Sequence, residues 1–495
     1  MQEQSLLYVR LHVLKNEYIR MNLWGWNSLE LPSFSGPITL KSHSLLMADI
    51  SNVVVARDDS HRIMLRVFAK PSVHIPEQLR TLGDPRKSCD RILFSSPLGA
   101  GELGGVLMGD SKTSWGYEEN HSIVEYEIAE VKFQASNEYQ PAYIVEYLDN
   151  LPTEFEWPTG FDDNITTRGM RTFDGDELYQ FPIKSLRERA LCSSLKLDVG
   201  EYTCILTAIE DEGDEGNKER RGYLVYIGLP DASTREKIRH SLSYAIGLPL
   251  IYCGHTNYSA AGELCEFVAV TPEMINGRAW NITKMPPAPL TITRHEDDKY
   301  IDPDKVSRVA SGIYKNMGSY GLDSLPWRLW YADTAPYFMR PAYYGAMIEG
   351  LQKSYLKNNS KKIDGLIISK LEFKRHRETL QKYIKKQGFE HSVEEIYLKV
   401  LSNCNSASQA VKAKRFYEGL GLKLGDLEVS AWQRRNDAAH GNEIPASEID
   451  NFIRVTCILR TMLNRIVLSL TGGSERYVDY YSYTHPDRAL TDPII

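Results

Sequence analysis

Apolar residues come in two rhythms along this chain, and the change between them falls near residue 340. Up to about residue 185 they alternate in short runs, LLYVRLHVL, SNVVVARD, HRIMLRVF, SIVEYEIAEVKF and AYIVEYL, cut by turn-forming clusters such as GDPRK and NLPTEFEWPTGFDDN. Alternation with period two between Gly, Pro, Asn and Asp clusters predicts a β-rich domain over residues 1–185.

Residues 186–336 read as a mixed α/β region. TCILTAI and GYLVYIGL flank the run EDEGDEGNKERR, which predicts a strand, a long solvated loop and a returning strand. REKIRHSLSYAIGL is helical in pattern, with Ser233 or Thr234 as its expected N-cap. PLTITRHEDDKYIDPDKVSRVASGIYKNM then leads through a polar loop into another short helix. Trp327, Trp330, Tyr331, Tyr337 and Phe338 are expected to pack the following helices onto the preceding domain, a base-stacking platform being the alternative.

From Pro341 the period lengthens to that of a helix. AYYGAMIEGLQKSYLKN sets Met347, Ile348, Leu351 and Tyr355 on one stripe, with Pro341 in its first turn. Further helical patterns follow in DGLIISKLEFKRHRETLQKYIKKQ, EEIYLKVLSNC, SASQAVKAKRFYEGLGL, DLEVSAWQRRNDAAH and ASEIDNFIRVTCILRTMLNRIVLSLTGG, the last stopped by Gly472 and Gly473. Five or six helices with short links predict a bundle over residues 337–475, followed by a tail, 476–495, laid as a strap along its surface. The fold class expected is α+β and multidomain.

Seven cysteines stand singly, without C-x-x-C pairs or finger-like His spacing, so neither a disulfide framework nor a zinc site is indicated. The N-terminal residues lack the layout of a secretory signal, and Arg460, Asn464 and Arg465 interrupt the longest apolar stretch, so the expected setting is cytoplasmic with no membrane contact. The net charge of −7 hides an asymmetry. Residues 340–471 hold 22 Lys and Arg against 14 Asp and Glu, leaving 36 against 51 elsewhere. A basic unit on an acidic chain suits a polyanion partner.

The candidate chemistry lies in R-N-D-A-A-H-G, residues 435–441. Five helical steps separate Arg435 from His440 by about 140°, which an undistorted helix would place on different faces. Gly441 is the expected helix terminator, leaving His440 in a last turn from which its ring can swing toward the Arg side. Cutting RNA without a metal needs a base for the 2′-hydroxyl proton and positive charge for the phosphorane; an imidazole of pKa ~6.5 and a forked guanidinium supply them. Asn436 and Asp437 could orient the imidazole or bind the sugar, and the attack would leave a 2′,3′-cyclic phosphate and a 5′-hydroxyl. Arg434, Lys412, Lys414 and Arg415 are candidate phosphate contacts, with surface solvation as the blander reading.

Spacing alone is weak, since an Arg-x4-His pair is expected about once by chance in a chain of this composition. Arg235 and His240, in REKIRH, form such a pair and read as a solvated helix face. GAGELG, residues 99–104, satisfies the G-x-G-x-x-G string but leads into Gly-rich sequence rather than a helix, so it reads as a loop or bulge pair and no cofactor is expected.

With RNDAAHGN at a helix end, a basic bundle before it and the ILRTMLNRIVLSLTG helix after it, the chain resembles the HEPN superfamily, and more specifically ApeA-type antiphage proteins. The resemblance rests on about the last 150 residues and is only architectural before them. It implies two HEPN domains packed so that both Arg-His pairs line one cleft, hence a homodimer or higher oligomer. It implies metal-independent RNA cleavage, with tRNA among the candidate substrates, in abortive defence set off by a phage-derived trigger. Arg435 and His440 match the catalytic pair, and Asn436 and Gly441 match their usual neighbours. The alternative is a bundle of the same kind that dimerises or binds RNA without cutting it.

Overall fold

The computed structural model of this 495-residue chain describes residues 39–42, 50–57, 62–69, 91–96, 98–115, 120–152, 157, 159–163, 167–172, 177–182, 189–208, 221–272, 288–293, 300–359, 366–439 and 446–495. The strands of its N-terminal half are β1 (Thr39–Ser42), β2 (Ile50–Arg57), β3 (Ile63–Ala69), β4 (Ile92–Ser96), β5 (Gly99–Trp115), β6 (Asn120–Ala135), β7 (Pro141–Asp149), β8 (Thr159–Asp163), β9 (Thr167–Thr172), β10 (Glu177–Pro182), β11 (Arg189–Val199), β12 (Tyr202–Ala208), β13 (Gly222–Ile227), β14 (Ile251–Ser259) and β15 (Leu264–Val270). Two compact units divide the chain. The predicted run LLYVRLHVL lies outside the described residues.

The first unit comprises Met1–Tyr147, Thr159–Ser194 and Cys253–Ile275, and β1 with β4, β2 with β3, β3, β5 and β15 with β6, β4 with β5, β8 with β9 and β11, β9 with β10, and β14 with β15 pair antiparallel. Its spine is β6, which pairs with β5 along one edge. On the other edge β6 pairs first with β3 and then with β15. Tyr126 and Ile128 are buried, then Val131 and Phe133, so the inward alternation slips by one residue where the partner changes. Gly105, at φ 62°, lies opposite the slip; a Cβ there would come within 2.5 Å of that of Ala129. GAGELG is neither loop nor phosphate cradle, because it opens β5 between β4 and β6. Only glycine fits at Gly101, where a Cβ would come within 2.3 Å of the Lys132 carbonyl oxygen.

The second unit comprises Leu148–Pro158, Leu195–Tyr252 and Asn276–Ile495. TCILTAI and GYLVYIGL form the expected antiparallel pair, β12 with β13. The described helices are α1 (Ala232–Ile246), α2 (Pro303–Tyr320), α3 (Leu325–Thr334), α4 (Arg340–Asn358), α5 (Lys370–Lys386), α6 (His391–Asn403), α7 (Gln409–Gly419), α8 (Asp426–Ala439) and α9 (Ile449–Thr471). An antiparallel sheet in the N-terminal half with helices mostly in the C-terminal half makes the fold α+β. The N-cap of α1 is neither Ser233 nor Thr234 but Asp231, whose carboxylate accepts from the Thr234 amide at 2.7 Å. An anion accepts from the free amides of a first turn better than a hydroxyl does.

α9 is the axis of the helical core. Leu459, Leu463, Ile466 and Val467 are fully buried, and α2, α4 and α8 pack around them. The stripe expected on α4, Met347, Ile348, Leu351 and Tyr355, faces that core. Of the polar residues that interrupt α9, Asn464 and Arg465 are buried and Arg460 is half-buried, and each has a partner. Asn464 accepts from the Tyr244 hydroxyl at 2.9 Å, Arg460 lies 3.6 Å from the Asp333 carboxylate, and Arg465 pairs with Glu428. No described helix is long and apolar enough to cross a membrane.

Four expectations change. Arg235 is buried and donates to the Pro230 carbonyl at 3.0 Å, and His240 accepts from the Trp327 indole at 3.0 Å, so that pair is structural rather than solvated. Of the aromatic run, Trp330 is buried and Trp327 packs on His240, whereas Tyr331, Tyr337 and Phe338 are exposed. The tail is no surface strap: it folds as the hairpin β16 (Arg476–Val478) and β17 (Asp487–Ala489), burying Tyr477 and Asp479. Finally, α5 buries no residue at all and α6 only Leu401, so these two helices stand apart from the core.

Candidate functional site

The candidate motif sits at the end of α8, whose last turn carries Arg435, Asn436 and Asp437. His440 and Gly441 lie outside the described residues, as do the side chains of Asn436 and Asp437. The geometry therefore belongs to Arg435 and the groups that hold it.

Arg435 is 8% exposed. Its aliphatic stem crosses α4 at Gly345, where an added Cβ would lie 2.7 Å from the Arg435 Cδ. One turn along the same helix face, Glu349 receives the guanidinium, from Nη2 at 2.6 Å and from Nε at 3.2 Å. Nη1 donates to the Trp432 carbonyl, and the Trp432 ring lies beneath the group, 3.6 Å from its carbon. A bare position followed by an acid one turn on makes α4 a mould for one arginine. The plane of the guanidinium is set by an ion pair, a carbonyl and an aromatic face together.

Three of five N–H donors are engaged among the described residues, so donors remain for another anion. Glu349 is itself 45% exposed, which places this pair at the rim of the core rather than inside it. Gly345, Glu349 and Trp432 were not singled out by the sequence reading. Gly345 and Glu349 lie some ninety residues before Arg435, and only helix periodicity on α4, read with the small residue in mind, could have pointed to them.

α8 is fixed at its other end by a buried network. Glu428 in its first turn accepts from the Gly425 amide at 2.7 Å and from Arg465 on α9, both side chains being 0% exposed. Arg465 also donates to the carbonyls of Leu490, at 3.0 Å, and Lys423, at 3.2 Å, and lies over the Tyr477 ring. One guanidinium thus ties α8, α9 and the tail. Burial pushes the Glu428 carboxyl above its ordinary value even against the pull of Arg465, a mark of how dry this junction is.

The other basic candidates have protein partners. Arg434 is 3.6 Å from Glu448, and Lys414 is 3.9 Å from Glu418, both at the surface, where such pairs are weak and easily exchanged for another anion. Lys412 donates to the Ser406 hydroxyl, and Arg415 to the Leu366 carbonyl at 2.7 Å. Lys412, Lys414 and Arg415 belong to α7, and no hydrogen bond among the described residues joins them to Arg435. No group of three or more His, Cys, Asp or Glu side chains among the described residues is placed to hold a metal ion. Compared with family models, curated proteins and solved structures, the chain matches none.

Proposed function

We propose that this protein is an endoribonuclease of the HEPN type, acting without a metal in antiphage defence. The observation that carries the reading is the mounting of Arg435: a guanidinium at the rim of the helical core, oriented by Glu349 and Trp432, with two of its donors unengaged among the described residues. Such a preoriented cation stabilises charge that develops on a phosphorane without reorganising at the moment of reaction. His440 follows five residues later in the sequence and is the general base for the 2′-hydroxyl. Arg434 and the α7 cations give the substrate strand sequence-independent phosphate contacts.

Arg435 is 10% exposed at its side chain and already neutralised by Glu349, and this favours a second reading, in which the helical unit binds RNA or a second copy without cutting. Mapping RNA ends in cells after induction separates the two. Under the first reading wild type accumulates cyclic-phosphate ends and His440→Ala does not. Under the second neither does, and protection survives the substitution.

A further inference from the structure

We infer that one face of α5 binds the phosphate backbone of RNA, through residues other than Arg435 and the α7 cations; that the polyanion is RNA rests on the function proposed above. α5 carries seven Lys and Arg against two Glu, and its principal neighbour is α6. It buries no residue, so most of its circumference meets solvent.

The sequence of α5 sorts its charges by face. At about 100° per residue, all seven cations fall within one half of the helix circumference, interrupted there by Leu371, Glu378 and Gln381. Phe373, His376, Leu380, Tyr383 and Ile384 fall in the other half, with Glu372 and Thr379. The less exposed positions, Phe373, Arg377, Gln381 and Ile384, recur at steps of four, four and three and mark the side toward α6. Clear of that side lie Lys374, Arg375, Lys382, Lys385 and Lys386, all exposed, along about 18 Å of helix.

Like charges three and four residues apart, Lys382 with Lys385 and with Lys386, repel one another and cost the helix stability. Among the described residues none of the five has an ion pair, and Glu378, four residues from both Lys374 and Lys382, pairs with neither. Other surface cations of the same unit are matched, Arg308 with Glu475, Lys414 with Glu418 and Arg434 with Glu448. A row of unneutralised cations on a helix that stands apart from the core is complementary to a polyanion, whose phosphates relieve the repulsion and whose counterions are released on binding. An anionic bilayer does not fit the same row. A helix lying on a membrane buries its apolar side, and on α5 that would turn the cations away from the headgroups.

The probe is a 2′-O-methyl RNA of about 20 nucleotides, which lacks the free 2′-hydroxyl that attack requires, so binding is read without cutting. Its affinity for the full chain is measured by fluorescence anisotropy between about 50 and 200 mM salt. Each phosphate contact to a single strand steepens the slope of log K against log salt by about 0.7. Lys374→Gln, Arg375→Gln, Lys382→Gln, Lys385→Gln and Lys386→Gln together are therefore expected to make the slope shallower by about 3.5 and to weaken binding at least 10-fold at the lowest salt. All five residues are exposed, so the melting temperature stays unchanged. Arginine at the four lysine positions keeps the charge and the wild-type affinity. A glutamine variant whose slope changes by less than about 1, or an arginine variant as weak as the glutamine one, overturns the inference. So does binding of wild type to vesicles containing about 30% phosphatidylserine that the glutamine substitutions abolish while RNA binding persists, since α5 is then a membrane contact. Cleavage is a separate readout: a chain that binds the probe through α5 yet leaves ordinary RNA uncut keeps this inference and removes the proposed function, and one that cuts RNA with an unchanged slope does the reverse.

Discussion

Removing the Glu428 carboxylate should unsettle the helical unit more than any other single change near the candidate site. In Glu428→Ala the Arg465 guanidinium, 0% exposed, loses its one charged partner among the described residues and keeps the Leu490 and Lys423 carbonyls. Breaking a buried pair from one side costs about 3–5 kcal/mol. The two remaining acceptors place the expected loss near the lower bound, about 3 kcal/mol, or a melting temperature lower by roughly 6 °C for a unit of this size. Urea denaturation followed by tryptophan fluorescence, which Trp330 and Trp432 report from within the same unit, gives the number. The double variant Glu428→Leu with Arg465→Met replaces the pair with apolar bulk and should recover most of the loss. A single variant that loses less than about 1 kcal/mol, or a double variant as damaged as the single, would refute the view that this pair is an uncompensated charge when broken.

Gly345→Ala should cost about 1–3 kcal/mol through overpacking against Arg435, and should impair RNA cleavage more than its stability loss explains, since the guanidinium must leave Glu349; unimpaired cleavage at a temperature where the variant is folded counts against the mould on α4. Glu349→Gln keeps the shape and removes the charge, so Arg435 should bind inorganic phosphate more tightly by roughly 2–10-fold, read by isothermal titration, while a weaker or unchanged affinity contradicts the assigned pairing. His240 gives a pH signature: burial, and then Arg239, hold its imidazole below its usual value, against the opposite pull of Glu236 and Asp323. A lowered folded value means stability fully present above about pH 6.5 and lost as pH falls toward that value. Wild type should therefore lose more stability than His240→Gln between pH 7.5 and pH 5, and parallel curves would show that His240 is not the titrating group.

Much of the architecture was legible from rhythm alone. The alternating runs became β2, β3, β6 and β7, and the helical patterns after Pro341 became α4 to α9, because burial of one face imposes period two or 3.6 on the sequence. What rhythm could not convey was pairing between distant segments. The slip at Ala129 follows from β6 changing partner, and the burial of Arg465 follows from an acid on α8 and a carbonyl of the tail brought in from elsewhere. Charged residues on a helix read as solvated until the tertiary fold supplies their partners. The same holds at the candidate site: Arg435 was visible in RNDAAHG, whereas Glu349 and Gly345 become its setting only once α4 lies against α8.

The central claim is chemical, and cleavage of a 5′-labelled RNA by purified protein in EDTA tests it most directly. The account predicts fragments ending in 2′,3′-cyclic phosphate from wild type, and none from a His440→Ala variant whose melting temperature is unchanged. Fragments from that variant at the wild-type rate, or 3′-hydroxyl ends from either protein, would contradict it.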